Sequence, residues 1–562
     1  MNATANTQMK SPLDALQERV ARQGKDVAMI QPLGGGALRE YTWAELDDEA
    51  RRMAAYLKAQ ELPPGSNIAL MSKNCAEWMI ADWAIWMAGH VSVPLYPTLT
   101  SQSVRQILEH SGARLLFVGK LDVWDEAKAG VPADMPKVSF SLSPADARRD
   151  FPCWPDVIAA QQPLSEVARP APADLATIIY TSGTTGTPKG VMHNFGNLAI
   201  MGEKMPGVYQ LSSQDRAISY LPLSHVAERA AVELAMLYVG LRVFFAESLE
   251  TFADDIKRAQ PTIFFAVPRI WTKFYQKASD AVPPAKLKKL LKIPLLNRVI
   301  KKKVLSAMGL QDCRIALSGA SALSPEVITW FKALGLEILE VYGMTENMAW
   351  SHTTREGDQQ IGWVGKPNEG VEQRIAENGE ILVRSVANMQ GYYKDPEKTR
   401  EDLTDDGWLH TGDVGEIDQQ GRLRITGRVK EIFKTEKGKY VAPAPIENKI
   451  VAHPGIDQAC VMGVDMPQPV ALLCLSPEEE AHLKDDATKQ AYIDGLQALL
   501  KRVNGELDAH ERLDAMVVVS ESWGVENNLL TPTLKLKRNE LEKVYKDRLT
   551  GWAAQRGVVW AR

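Results

Sequence analysis

The sequence predicts an α/β protein whose large N-terminal part is built of helix-covered sheets and carries a β-rich subdomain. Three observations predict it. Apolar strand-like runs alternate with helix-like stretches across short connections from Tyr41 to Val341, which is the mark of a parallel sheet covered by helices. From Gly362 the texture changes to short β-like runs separated by turn residues, such as Asn378-Gly379 and Asp418-Gln419-Gln420-Gly421. The 562 residues exceed what one core accommodates, so two or three domains are expected.

Taken in order, Thr42-x-x-Glu45 has the form of a capping box, and Leu46, Ala50, Met53, Ala54 and Leu57 then recur on one helical face. Asn67 to Met71 reads as a strand, Ala76 to Met87 as a buried helix with three tryptophans, and Val91 to Leu95 as a strand. A helix over Ser101 to His110 leads to a strand at Leu115 to Val118. Residues 131–173, rich in Pro, Ala and Asp, read as surface connection. Further strands are expected at Leu175 to Ile179, Ala217 to Leu221, Arg242 to Phe245, Thr262 to Val267, Arg314 to Ser318 and Leu336 to Val341. The β-rich subdomain is placed at 362–427.

A composition of 45% hydrophobic and 24% charged residues is that of an ordinary globular protein, and the formal charge of −5 gives no basic surface for nucleic acid. Lys288, Lys289 and Lys292 with Lys301 to Lys303 form one local cluster, read as a solvated helix face rather than a docking patch. Five scattered cysteines without a Cys-x-x-Cys pair indicate neither disulfides nor a zinc site and suit a reducing compartment. Met1 to Pro12 lacks the apolar core of a signal peptide, and no window of eighteen apolar residues exists. The expected location is cytoplasmic, with peripheral membrane contact and homo-oligomerisation both compatible with the composition.

The chemistry centres on Tyr180-Thr181-Ser182-Gly183-Thr184-Thr185-Gly186-Thr187-Pro188-Lys189-Gly190, directly after an apolar strand. Glycines at 183, 186 and 190 let backbone N–H groups approach an anion, hydroxyls add donors, and Lys189 supplies a mobile positive charge, so the implied ligand is a nucleoside triphosphate. Only Thr184 and Thr185 separate Gly183 from Gly186, which sets the loop apart from the usual P-loop.

This stretch resembles the signature of the adenylate-forming superfamily, which includes acyl-CoA synthetases, firefly-type luciferases and the adenylation domains of peptide synthetases. The resemblance spans roughly Tyr41 to Asn539, with the motifs in the family's order. It implies a small, mobile α+β C-terminal domain at 428–562 behind a large domain at 1–427. It also implies that Thr181, Ser182, Gly183, Thr185, Gly186 and Lys189 hold ATP phosphates, and that Gly319, Ala320, Tyr342 and Gly343 meet adenosine. Thr345 would touch the α-phosphate, Asp413 both ribose hydroxyls and Arg428 the ribose. Glu346 and Thr184 would hold Mg²⁺. Lys535 would reach the α-phosphate, with Lys537 the competing assignment, and Lys430 would be the hinge. Gly438, Lys439 and Tyr440 would line the path of CoA. His225 would border the substrate carboxylate, the alternative being a core histidine. Val267 to Tyr275 would flank the acyl tunnel or simply form helix core.

The implied reaction needs no general base, because the attacking carboxylate is already a nucleophile; positioning and positive charge on phosphate oxygens are what the protein must supply. The Thr533-Leu534 variant ahead of Lys535 resembles the long-chain acyl-CoA synthetases, so ATP, CoA and a medium- to long-chain fatty acid are the expected ligands. A carrier-protein acceptor, luciferase-like oxygen chemistry and non-catalytic acyl or nucleotide binding are the rival readings.

Overall fold

Helix Ala76–Met87 is mostly apolar and has no solvent-facing side, all twelve of its residues being buried, Glu77 and Asp82 among them. A helix of that kind must be covered from all sides. The cover is two large sheets: one core unites this helix with Ile68 and Leu115 of the first sheet and with Met29, Val243 and Phe245 of the second. The computed structural model describes residues 9–182, 188–294, 296–453, 455–531 and 535–561.

The first sheet has seven strands. Its parallel centre is Val91–Leu95, Asn67–Met71, Leu115–Val118 and Lys137–Ser139, and it is extended by the antiparallel hairpin Leu175–Ser182 and Pro188–Asn194 with Gly391–Tyr392 at the edge. The nine-stranded second sheet runs from Lys366–Pro367 through His352–Thr353, Ile338–Tyr342, Ile315–Ser318, Ile263–Ala266, Arg216–Ser219 and Arg242–Phe245 to the N-terminal hairpin Val27–Gly34 and Ala37–Thr42. A four-stranded antiparallel sheet follows, made of Val371–Ile375, Glu380–Ser385, Leu409–Ile417 and Leu423–Arg428. Beyond it lies a separate four-stranded sheet of Ile456–Met462, Val470–Leu475, Ala515–Val518 and Gly557–Trp560, with a core of its own. Arg269 of helix Pro268–Ala281 pairs with Asp457 at 2.6 Å and so ties this last sheet to the large domain.

Local signals account for much of this. The Thr42 hydroxyl accepts from the Glu45 N–H while the Glu45 carboxylate accepts from the Thr42 N–H, completing the capping box. One reading needs correction. Residues 131–173 are more than surface connection, because Lys137–Ser139 adds an edge strand and Phe140 and Trp154 pack against Phe117 in the core. Ahead of Thr42 stand a helix, Pro12–Gln23, capped by Ser11 and a strand at Val27–Gly34.

One buried cluster of charges stands in the main core. Arg229 bonds Asp82 on the apolar helix, Glu233 at 3.1 Å and the Thr177 hydroxyl at 2.8 Å. Burial pushes the carboxyls of Asp82 and Glu233 up, and the guanidinium between them pulls both back. Arg229 opens a wide, π-helical turn, Arg229–Leu234, of which Ala230 and Ala231 face the central cleft.

Candidate active site

The hairpin that carries the glycine- and threonine-rich segment pairs Tyr180 with Gly190, Thr181 with Lys189 and Ser182 with Pro188. Gly183, Thr184, Thr185 and Gly186, together with the side chain of Ser182, lie outside the described residues. Thr181 and Lys189 frame the opening of a cleft of about 2990 Å³. Gly190 does not serve an anion as expected. It sits in the return strand, where a Cβ would come within 2.7 Å of the Ile178 side chain, so the glycine serves strand packing.

Strand Ile338–Tyr342 ends in the turn that carries Gly343, Thr345 and Glu346, all at the cleft. Gly343 has no room for a side chain, since a Cβ would lie 2.6 Å from the Ala349 backbone. The turn is fixed by the side chain of Asn347, which accepts from the Met344 N–H at 2.9 Å, and by buried His193, whose Nε2 donates to the Thr345 carbonyl at 2.6 Å. Burial holds the His193 imidazole down at about 4, so it is neutral. Glu346 Oε1 accepts from the Tyr392 hydroxyl at 3.0 Å, and the same hydroxyl lies 3.0 Å from Asp402, which pairs with Lys398 at 2.6 Å. Burial raises the Glu346 carboxyl, while the Tyr392 hydroxyl and Lys189 counter the shift. The Lys189 ammonium stands 5.2 Å over the Tyr392 ring.

Tyr392 was invisible to sequence reasoning. Its segment clasps the two motifs together: the Met389 N–H donates to the Glu346 carbonyl and the Tyr393 N–H to the Gly190 carbonyl, both at 2.8 Å. Only the Gly-Tyr-Tyr spelling marks it locally, and nothing in that spelling names partners about 45 and 200 residues back.

On the opposite wall, Asp413 is buried and holds Arg428 at 2.9 Å through one oxygen and the Tyr342 hydroxyl at 2.7 Å through the other. The carboxylate keeps Arg428 firmly cationic. Gly319 and Ala320 follow strand Ile315–Ser318 into the cleft, and Ala320 adopts the left-handed φ of 71° that non-glycine residues rarely take, placing strain at the site.

Lys535 enters the same cleft from the C-terminal domain. Its backbone is pinned to Thr531, whose N–H donates to the Lys535 carbonyl at 2.8 Å and whose hydroxyl accepts from the Lys535 N–H at 3.0 Å. The surrounding protein lowers the ammonium's pKa, as does Arg428, whereas Asp413, Glu346 and Glu431 hold it up. Lys537 also borders the cleft, but its ammonium bonds the Asn528 side chain. His225 caps the short helix Val226–Glu228, with Nδ1 accepting from the Ala227 N–H at 3.1 Å. Burial first, then Lys535, pulls its pKa to about 4, leaving a neutral ring with the proton on Nε2.

The cleft is also lined by Met201, Met205, Tyr209, Ala230, Ala231 and Phe265, an apolar pouch. Val267 and Pro268 also border the cleft, but Trp271, Phe274 and Tyr275 pack into the second sheet's core with Phe264 and Phe331, so these aromatics are helix core. Gly438, Lys439 and Tyr440 lie apart from the cleft lining, on a two-stranded ribbon where Tyr440 is 61% exposed.

Behind the pouch, Glu228 is buried with the Ser219 hydroxyl, the Tyr220 N–H and the Asn74 amide all on one oxygen, at 2.8, 3.1 and 3.3 Å. Burial pushes this carboxyl up to about 8. A folded pKa raised above the unfolded value of 4.5 gives stability that is present below pH 4.5 and is lost as pH rises through about 8. Glu228→Gln is therefore expected to remove a stability loss of up to ~1.4 kcal/mol per pH unit within that window. Urea denaturation at several pH values checks this; parallel pH profiles for the two proteins would refute it.

The comparisons with known proteins agree with this geometry. The model of the AMP-binding enzyme family matches residues 16–393, and that of the AMP-binding enzyme C-terminal domain matches residues 431–554. The chain belongs to the AMP-binding enzyme family. A long-chain-fatty-acid–CoA ligase, FadD15 of Mycobacterium bovis, is 31% identical over 92% of this chain and 93% of its own. The peroxisomal long chain acyl-CoA synthetase 7 of Arabidopsis thaliana is likewise 31% identical, over 92% of this chain and 83% of its own. Among solved structures, the adenylation domain of a carboxylate reductase from Mycobacterium chelonae superposes with a TM-score of 0.80 at 25% identity, covering 98% of this chain and 92% of that one. The anthranilate CoA ligase AuaEII gives 0.78 at 23% identity over 97% and 99%, a likeness of fold. The α/β architecture with a large N-terminal and a smaller C-terminal domain is thus that of adenylate-forming enzymes.

Proposed function

We propose that the protein activates a medium- to long-chain fatty acid in two steps. The acid's carboxylate oxygen bonds to the α-phosphorus of ATP as the bond to pyrophosphate breaks. The thiol of CoA then adds at the acyl carbon, losing its proton, and AMP departs. The observation that carries this reading is that Lys189, Glu346, the Asp413–Arg428 pair and Lys535 line one cleft, whose walls also include His225 and an apolar pouch. The names of the relatives support the long-chain acid.

Within this reading Thr181 and Lys189 hold the leaving phosphates, helped by residues 183–186, and Thr345 touches the α-phosphate. Tyr342 lies against adenine with Gly319, Ala320 and Gly343, and Asp413 takes the ribose hydroxyls with Arg428 beside it. The Nε2–H of His225 faces the acyl carboxylate. Mg²⁺ fits the donor set: Tyr392 occupies Oε1 of Glu346, Oε2 remains for a cation, and Mg²⁺ in nucleotide sites takes one or two protein oxygens with the phosphates. Glu346 would hold it with Thr184, and the ion would neutralise charge on phosphate oxygens. Glu346→Gln is expected to raise the Mg²⁺ concentration needed for adenylation, a titration of pyrophosphate release being the check; an unchanged curve removes Glu346 from the metal.

The two-domain division at 427 and 428, with Lys430 as hinge, belongs to the same proposal. Lys535 occupies the cleft while Gly438, Lys439 and Tyr440 lie outside it, so a second arrangement is needed for the thiol to arrive along that segment. Lys430 is exposed in the turn after Arg428, and among the described residues its N–H donates no backbone hydrogen bond that proline would remove. Proline locks φ near −65° and denies a hinge its range. Lys430→Pro is expected to keep pyrophosphate release and to cripple acyl-CoA formation; if both fall together while circular dichroism is native, Lys430 is no independent hinge.

The reaction itself is tested with acids from acetate to oleate, with and without CoA, scoring AMP and thioester separately. Thioester formation on long acids is expected. AMP release indifferent to CoA would point to another acceptor.

A further inference from the structure

Between Val282 and Gln311 the sequence holds seven lysines, one arginine and no aspartate or glutamate, in a chain whose formal charge is −5. The segment forms two helices, Pro284–Leu290 and Leu296–Ala307. Leu287, Ile300, Val304 and Leu305 point inward, against the core of the second sheet. The outward face is not the purely solvated one that its lysines suggest. Ile293, Leu296 and Val299 are 47, 39 and 62% exposed, interleaved with exposed Lys288, Lys292 and Lys302. Among the described residues no ion pair involves residues 282–311, the nearest along the chain being Arg269–Asp457 and Arg216–Asp312, so this positive charge is not neutralised internally.

We propose that this face docks on a lipid surface bearing anionic headgroups. Phosphates of the headgroups take the lysines, and the three apolar side chains enter the boundary between headgroups and acyl chains. A nucleic acid would neutralise the lysines but leave Ile293, Leu296 and Val299 in water, so it meets half of what the face offers. The segment follows directly on helix Pro268–Ala281, whose Thr272, Lys273 and Gln276 line the cleft. Docking therefore sets the cleft beside the phase in which a long-chain acid dissolves. That consequence rests on the proposed function, whereas the docking does not.

The test uses the full chain without substrates, sedimented with phosphatidylcholine vesicles that contain or lack phosphatidylglycerol. Binding is expected only with phosphatidylglycerol and should weaken as salt rises. Replacing Ile293, Leu296 and Val299 together by serine is expected to lower the partition coefficient at least about tenfold. Reversing Lys288, Lys289 and Lys302 to glutamate should lower it at least about a hundredfold. None of these residues lines the cleft, so both variants should keep native circular dichroism and activity on a short, soluble acid. Equal binding to neutral vesicles overturns the proposal. So does a serine variant that binds vesicles as the parent does, particularly if the chain holds single-stranded RNA as tightly, which would make the face a general polyanion site.

Discussion

Lys535→Ala is expected to lower the rate of adenylate formation on the order of 10²- to 10³-fold while a supplied acyl-adenylate is still converted to acyl-CoA. The charge is needed at the α-phosphate only while pyrophosphate departs, so the second half-reaction does not draw on it. The geometry makes the residue specific. Thr531 holds the Lys535 backbone at both its N–H and its carbonyl, and the ammonium sits in the field of Asp413 and Glu346. Lys537 is engaged with Asn528 and is the proper control. Pyrophosphate release by each alanine variant, with thioester formation from synthetic acyl-adenylate measured alongside, decides it. A Lys535→Ala protein with the parental ATP-dependent rate, or a Lys537→Ala protein without it, would move the role two residues along the chain.

The largest effect on stability is expected at Arg229. Its guanidinium is 1% exposed and joins three elements through Asp82, Glu233 and Thr177, with the rings of Trp78 and Trp86 each 5.5 Å away. Removing one member of such a cluster leaves carboxylates buried without a cation, which costs about 3–5 kcal/mol; replacing the whole cluster by neutral groups of similar shape costs far less. Arg229→Ala is thus expected to lose about 3–5 kcal/mol in urea denaturation, with part of the loss recovered at lower pH as Asp82 or Glu233 takes up a proton. The triple change Asp82→Asn, Arg229→Met and Glu233→Gln should be much closer to the parent. If Arg229→Ala lost less than ~1 kcal/mol, water or rearrangement would be compensating the acids and the cluster would not be a net support of the core.

These two residues also show where sequence reading succeeds and where it ends. Strands such as Asn67–Met71 and Val91–Leu95 are legible because a parallel strand buried on both faces is a short, continuous apolar run between turn residues. Helix Ala76–Met87 is legible for the same reason at helical length. The strand Val27–Gly34 is not: it holds Pro32, lacks clean alternation, and takes its place between Ala37–Thr42 and the sequence-distant Arg242–Phe245. In the site, Lys189, Tyr342, Glu346, Asp413 and Lys535 stand in recognisable motifs, and the structure brings them to one cleft. Tyr392, Asn74 and Glu228 belong to no such motif and reach their partners only through tertiary packing. Gly190 was misread because a glycine beside a phosphate-binding sequence and a glycine under a crowded strand are spelled alike.

The N-terminal hairpin has a consequence for synthesis. Ile30 is registered against Phe244, so a ribosome adds roughly 200 residues, on the order of 10–40 s of elongation, between the emergence of one and of the other. An isolated two-stranded hairpin is marginal in water, and the edge that Arg242–Phe245 later covers is a row of unpaired N–H and carbonyl groups beside apolar Ala28 and Met29. During that interval the nascent chain depends on being kept apart from its neighbours. Slowing elongation before Phe245 should increase its engagement by holdase chaperones, although no residue of the finished enzyme has changed.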